Sequence, residues 1–133
     1  MQAMLPSAIR LNSQSNCLEL EYSKSGCHSL PAEYLRVFSP SAEVRGHGQG
    51  QSVLQSGKAW VRLQGIESVG NYALKLCFDD GHHSGLYHFD YLYQLALSHS
   101  QRWPAYLDAL LEAGLSREPE HPDPNQKHGT KNG

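Results

Sequence analysis

Hydrophobic and polar positions alternate most strictly in two stretches of the chain. Leu18, Leu20 and Tyr22 interleave with Glu19 and Glu21, and Tyr72, Leu74, Leu76 and Phe78 interleave with Ala73, Lys75 and Cys77. A period of two places alternate side chains on one face of a pleated strand, so both stretches predict half-buried strands. Ala8–Asn12 alternates more weakly and is followed by Ser13-Gln14-Ser15-Asn16, a turn cluster that predicts a hairpin with the next strand. A turn over 23–26 and a short strand over 28–30 come next. Residues 59–69 look extended, with Trp60, Val61, Leu63 and Ile66, and Gly70-Asn71 is a turn. Asp79-Asp80-Gly81 signals a tight turn, and 82–87 would then be the returning strand of an antiparallel meander.

The helical signals are fewer. Pro31 opens a run from Ala32 to Phe38, where its missing N–H costs nothing at a first helical position, and Ser39-Pro40-Ser41 ends the run. From Phe89 the period lengthens: Phe89, Leu92, Tyr93, Ala96 and Leu97 fall on one helical face, and Tyr91 falls off it. After a break near 98–100, a second helix is predicted over 101–113. Ser100 stands where an N-cap would and Gly114 where a C-cap glycine would, with Pro104 tolerated in the first turn. Strands first and helices last predict an α+β fold. It would hold antiparallel hairpins and a meander, a short helix after the second hairpin and two C-terminal helices, rather than a parallel βαβ arrangement.

Composition sharpens the boundaries. Of the 133 residues, the segment 117–133 (REPEHPDPNQKHGTKNG) carries no apolar side chain beyond its prolines. Residues 1–116 are therefore expected to form one domain and 117–133 a disordered polar tail. A net charge of −2, with 18% charged residues, argues against a basic nucleic-acid-binding face. No apolar run reaches membrane length, and the first ten residues lack the basic and apolar regions of a secretory signal. Three widely spread cysteines without a CxxC predict free thiols and a cytoplasmic location.

Eight histidines beside three cysteines raise the question of a metal. On a strand His82 and His83 would point to opposite faces, and His82 and His88 would lie about 20 Å apart. A zinc ion with nitrogens at about 2.0–2.1 Å cannot bridge that. Gly46-x-Gly48-x-Gly50 is not a dinucleotide fingerprint, and Gly57-Lys58-Ala59 lacks the Ser or Thr of a phosphate loop. No G-x-S-x-G occurs, Cys77 sits in a strand, and Asp79-Asp80 beside Gly81 reads as a turn rather than a catalytic pair.

Two segments carry a resemblance. LPAEYLRVFSPSAEV (30–44) and DGHHSGLY (80–87), the latter followed by Tyr91-Leu92, resemble the gamma-butyrobetaine hydroxylase-like N-terminal domain over roughly residues 5–100. That resemblance implies a domain found as small stand-alone bacterial proteins and as the N-terminal part of carnitine-pathway 2-oxoglutarate dioxygenases. It also occurs fused to P-loop ATPases that carry iron–sulfur clusters. In the dioxygenases the domain holds a structural zinc through three cysteines and one histidine. On this sequence those cysteine positions fall at Ser39, Ser41 and Val44, and the histidine at His82. Only His82 is a metal-ligating type, so the resemblance implies a degenerate site and no bound cofactor.

The resulting expectation is a non-catalytic accessory or protein-interaction domain. Its contact surface would lie near the two motif segments and include Arg36, Arg45, His47, His82, Tyr87 and Tyr91. Ser39 and Ser41 would tie the turn after the first helix, near His82. An unknown protein partner, no nucleic acid, no membrane and a monomer or weak dimer complete this expectation. The alternative is a zinc- or iron-binding protein linked to iron–sulfur handling.

Overall fold

The computed structural model describes residues 5–40, 54–81 and 85–119. Three strands come first: β1 (Ala8–Asn12), β2 (Cys17–Tyr22) and β3 (Gly26–Pro31). A one-and-a-half-turn helix, α1 (Ala32–Val37), follows. Three more strands, β4 (Leu63–Val69), β5 (Ala73–Phe78) and β6 (Leu86–His88), lead directly into α2 (Phe89–Leu97) and α3 (His99–Ala113). The strands form two antiparallel sheets, ordered β1-β2-β3 and β4-β5-β6. This is the expected α+β arrangement.

Alternation works as predicted in β2. Leu18, Leu20 and Tyr22 face inward opposite Leu11, Ile9, Leu30 and His28, while Glu19 and Glu21 sit on the outer face beside Arg10. In β5, Leu74, Leu76 and Phe78 are buried, and they join the first sheet's apolar face, α1 and α2 in one core. Tyr72 is not part of that alternation. It precedes the strand, is half exposed, and its ring lies against His88.

Asn16 joins the two sheets. It takes the left-handed backbone conformation in the β1–β2 turn, with φ of 58°. Its side chain donates to the Val61 carbonyl at 2.9 Å and accepts from the Leu63 amide at 3.0 Å. Its carbonyl accepts from the amide of Ala32 at 2.9 Å, one of the free donors at the start of α1.

Three sequence expectations shift. The returning strand is Leu86–His88 rather than 82–87, and residues 82–84 lie outside the described residues. In α2 the buried side chains are Phe89, Leu92, Leu95 and Ala96, whereas Leu97 is 53% exposed. At 100° per residue Leu97 lies about 80° round from Phe89, enough to leave the core on a helix this short. Ser100 does not cap α3. The helix starts at His99, and the preceding Ser98 turns its hydroxyl back to the Gln94 carbonyl of α2.

The other end of α3 follows its sequence signal. Gly114 has φ of 70°, its amide donates to Leu111 at 3.1 Å, and the Leu115 amide donates to Leu110 at 2.8 Å. This paired pattern closes the last carbonyls of the helix, and glycine alone adopts that backbone without cost. Residues just after the helix fold back onto the body of the protein. Arg117 pairs with Glu33 through two hydrogen bonds of 2.7 and 2.8 Å, and its carbonyl accepts from the amide of Ala59. No helix among the described residues is long and apolar enough to cross a membrane.

Candidate functional site

The polar chemistry of the chain gathers around α1. This helix is unusually enclosed for its length, since all six residues, Glu33 and Arg36 included, are buried. Six residues cannot satisfy their own backbone, so the surrounding elements must supply partners. Tyr87 of β6 donates its hydroxyl to the Leu35 carbonyl at 2.6 Å, and Tyr91 of α2 donates to Phe38 at 2.6 Å. The helix returns the favour through Tyr34, which donates to the Leu95 carbonyl of α2 at 2.7 Å. Burial pushes the Tyr34 phenol up to about 12 and the Tyr87 phenol higher still, so both remain neutral donors.

Charge is matched on the same helix. Arg36 Nε meets Asp80 Oδ2 at 2.8 Å, and Lys58 Nζ approaches the same oxygen at 3.6 Å. Arg36 also reaches the side-chain oxygen of Gln55 at 3.4 Å. Glu33 is held by the Arg117 fork, and the Arg117 guanidinium lies 5.7 Å above the Trp103 ring. Asp79, next to Asp80, accepts from the Arg62 amide at 2.9 Å. The two adjacent carboxylates therefore tie the turn to two different neighbours.

Ser39 lies at the end of α1, 1% exposed. Its hydroxyl is hydrogen-bonded to the Tyr87 side chain. A Cβ on Gly85 would come within 2.7 Å of the Ser39 oxygen and 3.2 Å of Pro40, so this position requires glycine to lie against the segment that follows α1. The two segments singled out in the sequence, 30–44 and 80–87, thus meet in space. Arg36 and Leu35 of the first touch Asp80 and Tyr87 of the second.

The contact surface expected from these segments needs correction. Tyr87 is completely buried and Arg36 nearly so, because both are spent on internal bonds, and neither offers a face to a partner. Tyr91 is half-buried with its hydroxyl engaged. Arg45, His47 and His82, with Ser41 and Val44 of the zinc positions, lie outside the described residues. At the remaining zinc position, Ser39 carries a hydroxyl already in a hydrogen bond. Two serines and a valine do not fit a thiolate-based zinc site. Among the described residues no group of three or more His, Cys, Asp or Glu side chains is placed to hold a metal ion.

A sequence model described as "Gamma-butyrobetaine hydroxylase-like, N-terminal" matches residues 9–93. The chain belongs to this family. An NMR solution structure that is 53% identical superposes with a TM-score of 0.79, covering 91% of this chain and 95% of its own. A second NMR structure, 41% identical, has a TM-score of 0.75 and covers 92% of each chain. A crystal structure of a protein with unknown function of the DUF971 family, from Acidithiobacillus ferrooxidans, is 30% identical. Its TM-score is 0.58, and the match covers 70% of this chain and 93% of that one. Comparison with curated proteins gives no match. The family segment spans both sheets, α1 and the first half of α2, and it ends before α3.

Chemistry outside this region is modest. An open depression of about 300 Å³ beside β1 is lined by Arg10, Leu11, Asn12, Ser13, Gln14 and Glu19. Its Glu19 carboxylate is held below the ordinary value by hydrogen bonds from Asn12 and then Arg10. These are solvent-exposed contacts of a sheet face, and none of the motif residues lines the depression. Sequence reasoning missed Glu33, Lys58, Asp80 as an ion-pair partner, and Arg117. Their partners lie up to 84 residues away, and no local pattern announces such pairs.

Proposed function

We propose that this chain is a non-catalytic accessory domain that works by holding a protein partner in the cytoplasm, with the family's zinc position degenerate. The buried polar groups around α1 support the first part of this reading. Their hydrogen-bonding capacity is directed at backbone carbonyls and at one another, as in a scaffold, whereas a catalytic group needs access to substrate.

The observation that carries the interaction reading is on α3. Leu111 is 79% exposed and Leu107 is 37% exposed, on a helix that buries Tyr106 and Leu110 along the adjacent face. Leu111, mostly in water, and the exposed part of Leu107 one turn away offer apolar area to a partner.

A photo-crosslinking residue placed at Leu111, and a control at Glu21 on the outer sheet face, test this in cells of the native host. A single protein adduct specific to position 111 is expected. Absence of any protein adduct at 111 would overturn the interaction reading. Elemental analysis of tag-free protein tests the zinc position separately, and one equivalent of zinc or iron per chain would refute a degenerate site.

A further inference from the structure

We infer that the exposed leucine stripe of α3 is a seat for an amphipathic helix with a basic rim, an inference that rests on the interaction reading above. Leu107 and Leu111 are one helical turn apart, which sets their side chains about 6 Å from each other along one face. Leu115, just past the Gly114 cap and partly exposed, adds apolar area at that end of the helix. A narrow row with helical spacing is matched by the ridge of another helix, which presents its own apolar side chains at the same period.

The rim decides the charge of the partner. Asp108 and Glu112 are exposed and lie about 60–140° further round the helix than the leucines. Neither is ion-paired with a described residue. The last turn of α3 contains no basic residue, and the helix dipole adds partial negative charge at the same end. A partner helix with Lys or Arg beside its apolar row meets two carboxylates that no described residue pairs with. A second copy of α3 would instead bring two acidic rims together, so the same observation disfavours self-association.

Amide-resolved NMR titration of the full chain with two model helices tests this. One peptide pairs a leucine face with lysines, and the other pairs the same face with glutamates. The Leu/Lys peptide is expected to shift amides around 107–115 and to bind at least tenfold more tightly than the Leu/Glu peptide, with affinity falling as salt is raised. The double variant L107A/L111A is expected to lose at least tenfold in affinity while keeping its other amide positions. The variant D108K/E112K is expected to reverse the preference between the two peptides. Equal binding of both peptides, shifts lying away from α3, or no reversal in D108K/E112K would each overturn the inference. So would a wild-type dimer in sedimentation that L111E dissolves, since that makes a second copy the occupant. The crosslink at Leu111 separates the two levels. An adduct whose crosslinked segment is not basic refutes the partner chemistry alone, while no adduct at all refutes the interaction reading itself.

Discussion

α1 and α3 solve opposite problems. α1 has six residues, buries all of them, and depends on other elements for its backbone partners. α3 has fifteen residues, buries Tyr106 and Leu110 on one side, and closes its own C-terminus with Gly114. The first is a plug whose polar groups must all be answered inside the protein. The second is a flank whose Leu111 stands mostly in water. The family segment includes the plug and stops before the flank. That difference teaches where to test each property: stability in the contacts of α1, and the proposed recognition on the face of α3.

The largest expected effect breaks the plug. Arg36→Ala removes the guanidinium that Asp80 faces and leaves a carboxylate in a partly enclosed site. It should cost about 2–3 kcal/mol in urea unfolding, below the range for a fully buried pair because Asp80 keeps some solvent and the Lys58 ammonium at 3.6 Å. If Arg36→Ala unfolds at the wild-type midpoint, the ion pair is not what holds the two motif segments together.

Tyr87→Phe comes next. It deprives the buried Leu35 carbonyl and Ser39 of their partner without changing shape, and about 1–2 kcal/mol should be lost. Tyr22→Phe is the internal control. The Tyr22 hydroxyl is buried with no hydrogen-bond partner among the described residues, and burial raises its phenol to about 12. Its removal should be neutral or slightly stabilising, and an equal loss in both variants would mean that the hydroxyl contacts of α1 contribute nothing specific.

The junction between the two regions predicts a pH dependence. His99 opens α3 and packs on the Tyr34 ring at 4.2 Å between centroids, and burial holds its imidazole below the ordinary 6.5. The unfolded chain therefore takes up this proton more readily than the folded one. The stability associated with a neutral His99 is complete above about 6.5 and is lost as pH falls from there through the depressed folded value. Chemical denaturation across that window should show a slope that His99→Asn flattens, and an unchanged slope would refute this coupling.

The smallest effect belongs to the flank. Leu111→Gln should change stability by less than about 0.5 kcal/mol, because the side chain is mostly in water already. A larger loss would mean that this leucine serves the fold, and the contrast between the two helices would disappear.

Local chemistry was readable wherever one element answered its own needs. The alternation of Leu18, Leu20 and Tyr22 identified β2, and Gly114 identified the end of α3. Reading failed where short elements depend on their surroundings. The three-residue β6 has too few positions to show a period, and Leu95 rather than Leu97 turned inward because α2 is placed by its packing. Motif residues caused the clearest miss. Arg36 and Tyr87 look like surface chemistry in one dimension, and they are internal fasteners in three.

What the sequence by itself determined is the α+β class, most element positions, the family, and the absence of thiolates at three zinc positions, since each depends on residue type and short-range spacing. Tertiary structure alone decided that the two motif segments touch, that Glu33 needs Arg117 from 84 residues away, and that Leu107 and Leu111 face water. The physical reason is that pairing and burial are properties of what lies across the fold, and the distance across a fold is not encoded in spacing along the chain.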